Sequence, residues 1–223
     1  MSTIISPRGK PAVIYPESDG LPMSDNTKQF RWIMTIQGGL DALFRNHPGV
    51  FVAGNLLWYS VEGNNTIRTA PDIFVVFGRP KGDRGSYLQW REDNIAPQVT
   101  FEVLSPGNRA GDVTIKFKFY ETYGVEEYYL WDPDNADLHG WQREGSDLRP
   151  ITQMNGWTSP RLKVRFELAE GDLRLYEPDG KKFATYVELV QQREQERQAR
   201  DQAEHRAERL AAQLKALGIK PEA

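Results

Sequence analysis

The chain has 223 residues, 39% of them hydrophobic and 11% aromatic, with a formal charge of −3. That is enough apolar material for one cored domain plus an appendage, which excludes a disordered chain. The absence of cysteine excludes disulfides, thiolate zinc sites and cysteine nucleophiles, and the mildly acidic balance counts against a generic high-affinity, non-specific nucleic-acid binder.

Residues 1–24 carry Pro7, Pro11, Pro16 and Pro22 among Gly and Ser, which predicts an extended arm with at most a short strand at Ala12–Tyr15. The first residues hold no apolar signal-peptide core, and no stretch approaches the roughly 20 apolar residues that span a bilayer. A soluble, cytoplasmic protein is the expectation. Ser24 or Asp25 could cap a helix from about Asn26 to Asn46, where Phe30, Ile33, Met34, Leu40, Leu43 and Phe44 follow helical spacing. Gly38-Gly39 is its weak point, and His47-Pro48-Gly49 ends it.

Strands are predicted at Val50–Ala53 and Leu56–Val61, with a turn at Glu62–Asn65. Ile73–Phe77 is a continuous apolar run of strand length, so burial on both faces is expected. Gly78–Asn94 reads as a polar loop. Gln98–Leu104 is a second buried strand, broken by Ser105-Pro106-Gly107-Asn108. A helix over Asp112–Tyr123 follows, with Gly124 as its C-terminal cap, and then a strand at Val125–Trp131 stopped by Asp132-Pro133-Asp134-Asn135. Shorter strands are predicted at Leu138–Arg143, Leu162–Glu167 and Leu173–Tyr176. Strand–helix–strand with apolar strands implies a crossover, hence an α/β fold with a mixed sheet. The expected organisation is an arm (1–24), a catalytic-sized domain (25–185) and a C-terminal helix (187–218). In that last segment Ala203, Ala207, Leu210, Leu214 and Leu217 repeat at 4-3-4-3 spacing, a short coiled-coil seam that becomes Arg200, Glu196 and Arg193 upstream. A solvated helix laced with i,i+4 pairs is the plainer alternative.

Three residues carry the candidate chemistry. Asp72 follows Pro71 at the head of an apolar strand. Glu102 lies inside a buried strand, where a carboxylate is costly unless paired or metal-bound. Lys116 shares a helical face with Asp112 and Tyr120 and so points back over the end of the Glu102 strand, whereas Lys118 projects the other way. Each has a bland reading: a strand-entry turn for Asp72, a structural salt bridge for Glu102, a surface ion pair with Asp112 for Lys116. Together, two carboxylates on neighbouring strands and a nearby lysine are the working set of a metal-dependent phosphodiesterase. A negative formal charge does not oppose this, because bound metal offsets the carboxylates. The 78–91 loop interleaves Arg79, Lys81, Arg84 and Arg91 with Tyr87 and Trp90, which suits a nucleic-acid-facing flap; Asp83, Glu92 and Asp93 dilute it, and a solvated loop packed by Tyr87 and Trp90 is an equal alternative. His47, His139 and His205 are far apart and are expected at the surface. No Gly-rich phosphate loop, paired-histidine zinc motif or nucleophile elbow is present.

Pro71-Asp72, then FEVLSPGNR at 101–109, then Asp112, Lys116, Tyr120, Gly124-Val125, Glu127-Tyr128 and Asp132-Pro133 at their mutual spacing resemble the Uma-type family of putative restriction endonucleases, within the PD-(D/E)xK nuclease superfamily. The resemblance spans roughly residues 15–180. It implies a restriction-endonuclease-like core, a central mixed sheet flanked by helices, and DNA as the substrate. It implies Asp72 and Glu102 as metal-binding acids with the Val103 carbonyl, Mg²⁺ or Mn²⁺ as the cofactor, and Lys116 as the catalytic lysine. The superfamily's E-x-K spacing would put lysine at 104, where Leu104 stands; in the Uma-type family the lysine moves to the helix. Ser105, Asn108 and Arg109 are the candidate phosphate contacts. The acidic residue that such nucleases often carry on the first helix has Asp25, Asp41, Gln29 or Gln37 as candidates. Double-strand cutting would favour a homodimer. The competing readings are a catalytically inactive nuclease-fold module for DNA binding or assembly, and a hydrolase of another phosphodiester such as RNA.

Overall fold

The computed structural model describes residues 13–18, 26–106 and 110–217. The chain divides after Phe183 into two units. The first is built on a six-stranded mixed sheet in the order β1-β4-β6-β7-β8-β9, formed by β1 (Val50–Gly54), β4 (Ile73–Phe77), β6 (Val99–Val103), β7 (Glu127–Asp132), β8 (Asp137–Glu144) and β9 (Asp147–Pro150). Helix α2 (Ala110–Tyr123) makes the crossover that sets β6 parallel to β7; every other pairing in this sheet is antiparallel. Gly124 takes φ +92°, a left-handed turn that lets the Val125 N–H return to the Tyr120 carbonyl at 3.0 Å and ends the helix where the sequence predicts.

All five residues of β6 are buried, as the unbroken apolar run requires. Its odd positions, Val99, Phe101 and Val103, share one core with Ile33, Ile36 and Leu40 of α1 (Thr27–Leu43). On the opposite face, Phe74, Val76, Tyr128 and Leu130 pack with Tyr120 and Val125 in a second core. The hairpin β10 (Arg165–Ala169) and β11 (Asp172–Tyr176) adds Phe166, Leu173 and Leu175 to the α1 side. A small sheet, β3-β2-β5 (Arg68–Thr69, Trp58–Tyr59, Tyr87–Leu88), buries Tyr59 and Leu88 against Tyr15.

Helix α1 begins at Asn26, whose side-chain oxygen accepts the Gln29 N–H at 2.8 Å; the alternative caps Ser24 and Asp25, and the arm apart from 13–18, lie outside the described residues. Gly39 is a packing device rather than a defect: the Phe183 ring sits where a Cβ would stand, 2.2 Å from its ideal position. Leu56–Val61 supplies only a two-residue strand, and the predicted 78–94 loop contains β5 and a 3-10 turn at Gln89–Arg91. Strand pairing needs a partner at the right height, and that information is not local.

The second unit is one helix, α3 (Tyr186–Ala216). It starts in a capping box between Thr185 and Glu188, with the Glu188 N–H on the Thr185 hydroxyl at 3.3 Å. None of its residues is buried.

Candidate active site

The register Ile73↔Phe101 between β4 and β6, continued by one residue, brings Asp72 level with Glu102. The Asp72 Oδ2 accepts the Val103 N–H at 2.7 Å, which takes up a backbone donor at the end of β6. Glu102, only 6% exposed, points to the α2 face. Its Oε2 accepts from the Lys116 Nζ at 2.7 Å, and its Oε1 accepts from the Tyr120 hydroxyl. The Lys116 Nζ also donates to the Ala70 carbonyl at 3.0 Å, which ties the lysine to the segment just before Asp72. Burial disfavours the Lys116 charge, but Glu102 and Asp72 outweigh it and hold the ammonium pKa above its ordinary value. Burial, then the Glu102 carboxylate, push the Tyr120 hydroxyl well up, so it stays a donor.

The other face of the sheet brings in Gln29. Its Nε2 donates to the Val103 carbonyl at 2.8 Å, while its Oε1 is buried without a hydrogen-bond partner. Val103 is therefore gripped at both backbone groups, by Asp72 on its N–H and Gln29 on its carbonyl. Of the four first-helix candidates, Gln29 is the one that reaches Val103. Asp41 instead pairs with Lys81 at 3.3 Å, Gln37 lies beside Gly54, and Asp25 is outside the described residues. Tyr120 received no role from the sequence, although its four-residue spacing from Lys116 placed it on the same face.

The remaining candidates separate clearly. Lys118 is exposed. Ser105 lines a surface cleft with Leu104, Val113, Asp132 and Asn135, and Asn108 and Arg109 lie outside the described residues. The flap is largely self-neutralised: Arg79 pairs with Glu92 at 3.3 Å and with Asp93, and Arg84 meets Glu92 at 2.7 Å while lying 3.9 Å from the centre of the Phe51 ring. Its Tyr87 is fully buried, the hydroxyl donating to the Ile95 carbonyl at 2.7 Å. His139 and His205 sit at the surface beside Asp137 and Glu208, and His47 is exposed against the Phe44 ring.

Among the described residues no group of three or more His, Asp or Glu side chains converges. Asp72, Glu102 and the Val103 carbonyl offer hard oxygen donors at one strand end, and Gln29, bound to that carbonyl through its Nε2, leaves a buried amide oxygen unpartnered beside it. Such a set suits a small divalent cation that keeps part of its water shell, and the unpartnered buried oxygen is the atom that such an ion would satisfy.

The Uma2 family model, described as "Putative restriction endonuclease", matches residues 34–164. That span contains Asp72, Glu102 and Lys116 and stops short of Gln29 on one side and α3 on the other. No curated protein matches the chain. Among solved structures, the crystal structure of "a putative nuclease belonging to DUF820" from Anabaena variabilis ATCC 29413 is 18% identical. It covers 62% of this chain and 74% of its own, with a TM-score of 0.46.

Proposed function

This chain belongs to the Uma2 family of putative restriction endonucleases, and on that premise we propose that it is a divalent-metal-dependent endonuclease hydrolysing DNA phosphodiesters at Asp72, Glu102 and Lys116. The observation that carries the reading is the convergence of a strand-entry aspartate, a buried glutamate and a helix-borne lysine around the end of β6. Asp72, Glu102, the Val103 carbonyl and the Gln29 Oε1 would hold Mg²⁺ or Mn²⁺. When bound, the ion supplies Lewis-acid polarisation of the phosphate and a more acidic water.

The chain's own residues then have distinct tasks. Asp72 and Gln29 fix the Val103 peptide groups, so the donor set is built on a strand rather than a mobile loop. Tyr120 holds one Glu102 oxygen and Lys116 the other, which sets the carboxylate plane. Lys116 stays protonated, and two of its three N–H donors go to Glu102 and Ala70. The third serves the non-bridging phosphate oxygen on which charge develops as water attacks phosphorus in line and the bond to the 3′ oxygen breaks. Lys116 thus acts as an electrostatic partner rather than as the base; the attacking water's proton leaves to the phosphate or to solvent, and the departing 3′ oxygen takes up a proton from solvent. Ser105, with Asn108 and Arg109, is assigned to phosphate contacts that position the strand. Cutting both strands calls for two copies of the site, hence a homodimer. The lack of cysteine suits a reducing compartment, and we assign the activity to the cytoplasm.

The second reading, an inactive nuclease-fold module for DNA binding or assembly, draws on the same contacts. Both Glu102 oxygens and the Val103 carbonyl are already engaged by protein donors, as in a structural latch. Plasmid nicking with Mg²⁺ or Mn²⁺, run beside calorimetric Mn²⁺ titration, separates the two. Nicking by wild type and its loss in Asp72→Ala support the enzyme. Neither nicking nor Mn²⁺ binding by folded wild type supports the module. Competition by RNA for the same cleavage tests the substrate class.

A further inference from the structure

Helix α3 runs for 31 residues without burying a side chain. Its intrahelical ion pairs, such as Arg197–Glu194 at 2.8 Å, add only a few tenths of a kcal/mol each. Yet large apolar groups stand exposed at both of its ends: Tyr186 at 81%, Leu189 at 39%, Leu210 at 53% and Leu217 at 74%. These are one stripe. Stepping by alternating three and four residues from Tyr186 passes through Leu189, Arg193, Glu196 and Arg200 and continues through Ala203, Ala207, Leu210, Leu214 and Leu217. The repeat is that of a coiled-coil seam with an apolar segment at each end and a charged middle.

The charges decide what can cover it. In a parallel pair each seam residue meets its own copy, stacking Arg193 on Arg193, Glu196 on Glu196 and Arg200 on Arg200. That places three like-charge layers in the seam. Reversing one helix removes all three. In the full-overlap register Leu189 faces Leu214, Arg193 faces Leu210, Glu196 faces Ala207 and Arg200 faces Ala203. The alanines leave room for the longer stems to lie along the seam with their heads in water. The same register sets Arg197 beside Glu204 of the other helix on one flank, once for each copy. We infer that α3 pairs with α3 of a second copy of this chain as an antiparallel coiled coil in the Leu189–Leu214 register. At 1.5 Å per residue the overlap is about 46 Å long. This deepens the two-copy reading above but does not depend on the nuclease chemistry.

The chain has no cysteine, so introduced ones report cleanly. Full-length Leu189→Cys and a tagged full-length Leu214→Cys, mixed and mildly oxidised, should give the mixed disulfide in roughly fivefold or greater excess over either self-disulfide. Dominant self-disulfides would mean a parallel pair and overturn the proposal. In sedimentation velocity, Leu210→Lys with Leu214→Lys should weaken wild-type dimerisation by at least about 100-fold, because it removes two leucine contacts per copy, four per dimer. A wild type that stays monomeric into the high micromolar range, or a double variant that dimerises as well as wild type, would equally overturn it. Arg197→Glu should weaken the dimer a few-fold, and adding Glu204→Arg should restore it. Cleavage is read separately: an active monomer sinks the pairing alone, and an inactive dimer sinks the nuclease reading alone.

Discussion

Two glutamates on adjacent parallel strands of one sheet are both buried, Glu102 on β6 at 6% exposure and Glu127 on β7 at 1%. Their surroundings differ in kind. Glu127 is held by neutral donors: the Tyr129 hydroxyl at 2.9 Å, the Arg161 backbone N–H at 2.8 Å and the Ser159 hydroxyl. Tyr129 in turn accepts from the Trp157 indole at 3.1 Å. This is a closed network that stitches the β10–β11 side of the unit to the sheet. Glu102 instead relies on a lysine ammonium and a tyrosine hydroxyl, with a second carboxylate one strand away and an orphaned amide oxygen across the strand. Burial of a carboxylate therefore does not by itself mark a candidate site. What sets Glu102 apart is burial together with a cation and a second acid at the same strand end.

The largest effect should fall on the groups around the Glu102 end of β6. Lys116→Ala and Asp72→Ala should each lower cleavage about 100- to 1,000-fold, in the range seen when one transition-state-stabilising group is removed. Steady-state nicking measures this, with circular dichroism to show that the fold persists. Unchanged cleavage in Lys116→Ala would move the lysine role elsewhere. Glu127→Ala should behave oppositely: it strands two buried hydroxyls and the part-buried Arg161 N–H, lowers unfolding stability by about 2–4 kcal/mol in urea melts, and leaves the folded fraction as active as wild type. Activity lost in step with Asp72→Ala would erase the contrast between the two glutamates. Tyr120→Phe removes one donor from Glu102. It should cut cleavage roughly 10-fold and weaken calorimetric Mn²⁺ binding, whereas Tyr129→Phe should leave both unchanged.

The smallest effect is a pH dependence. Burial raises the Glu127 pKa above its ordinary 4.5, against the pull of Ser159, Arg161 and Tyr129. The folded state thus binds that proton more tightly than the unfolded chain does. The resulting stability is fully present below 4.5 and is lost as pH rises through the elevated folded value. Glu127→Gln, which cannot titrate, should flatten the stability profile in that window. An unchanged profile in thermal melts would show that Glu127 is not the group responsible.

Much of this molecule was legible in its sequence because the signals are short-range. The apolar runs at 73–77 and 98–104 marked central strands. The helix over 112–123, with Asp112, Lys116 and Tyr120 at four-residue spacing on one face and Gly124 behind it, marked the crossover. The energetic oddity of a glutamate inside a buried run singled out Glu102. Its equal, Glu127, passed without a role because a carboxylate satisfied by neutral donors and one satisfied by a cation look the same in one dimension. The sequence showed that Glu92 and Asp93 dilute the charge of the 78–91 loop, but not that they pair directly with Arg79 and Arg84 once the loop folds back. Strands β3, β5 and β9 were invisible, since two- to four-residue strands carry too little periodicity to register.

By itself the sequence determined the strand–helix–strand core and three residues placed to meet at one strand end, because alternation and helical spacing fix which face a side chain takes. Only the tertiary structure decided that Gln29, far upstream, reaches the Val103 carbonyl, that Tyr120 shares Glu102 with Lys116, and that Glu127 is closed off by Ser159 and Arg161. Those contacts join segments distant in the chain, and hydrogen-bond satisfaction in a buried interior is a property of the whole packing rather than of any local pattern.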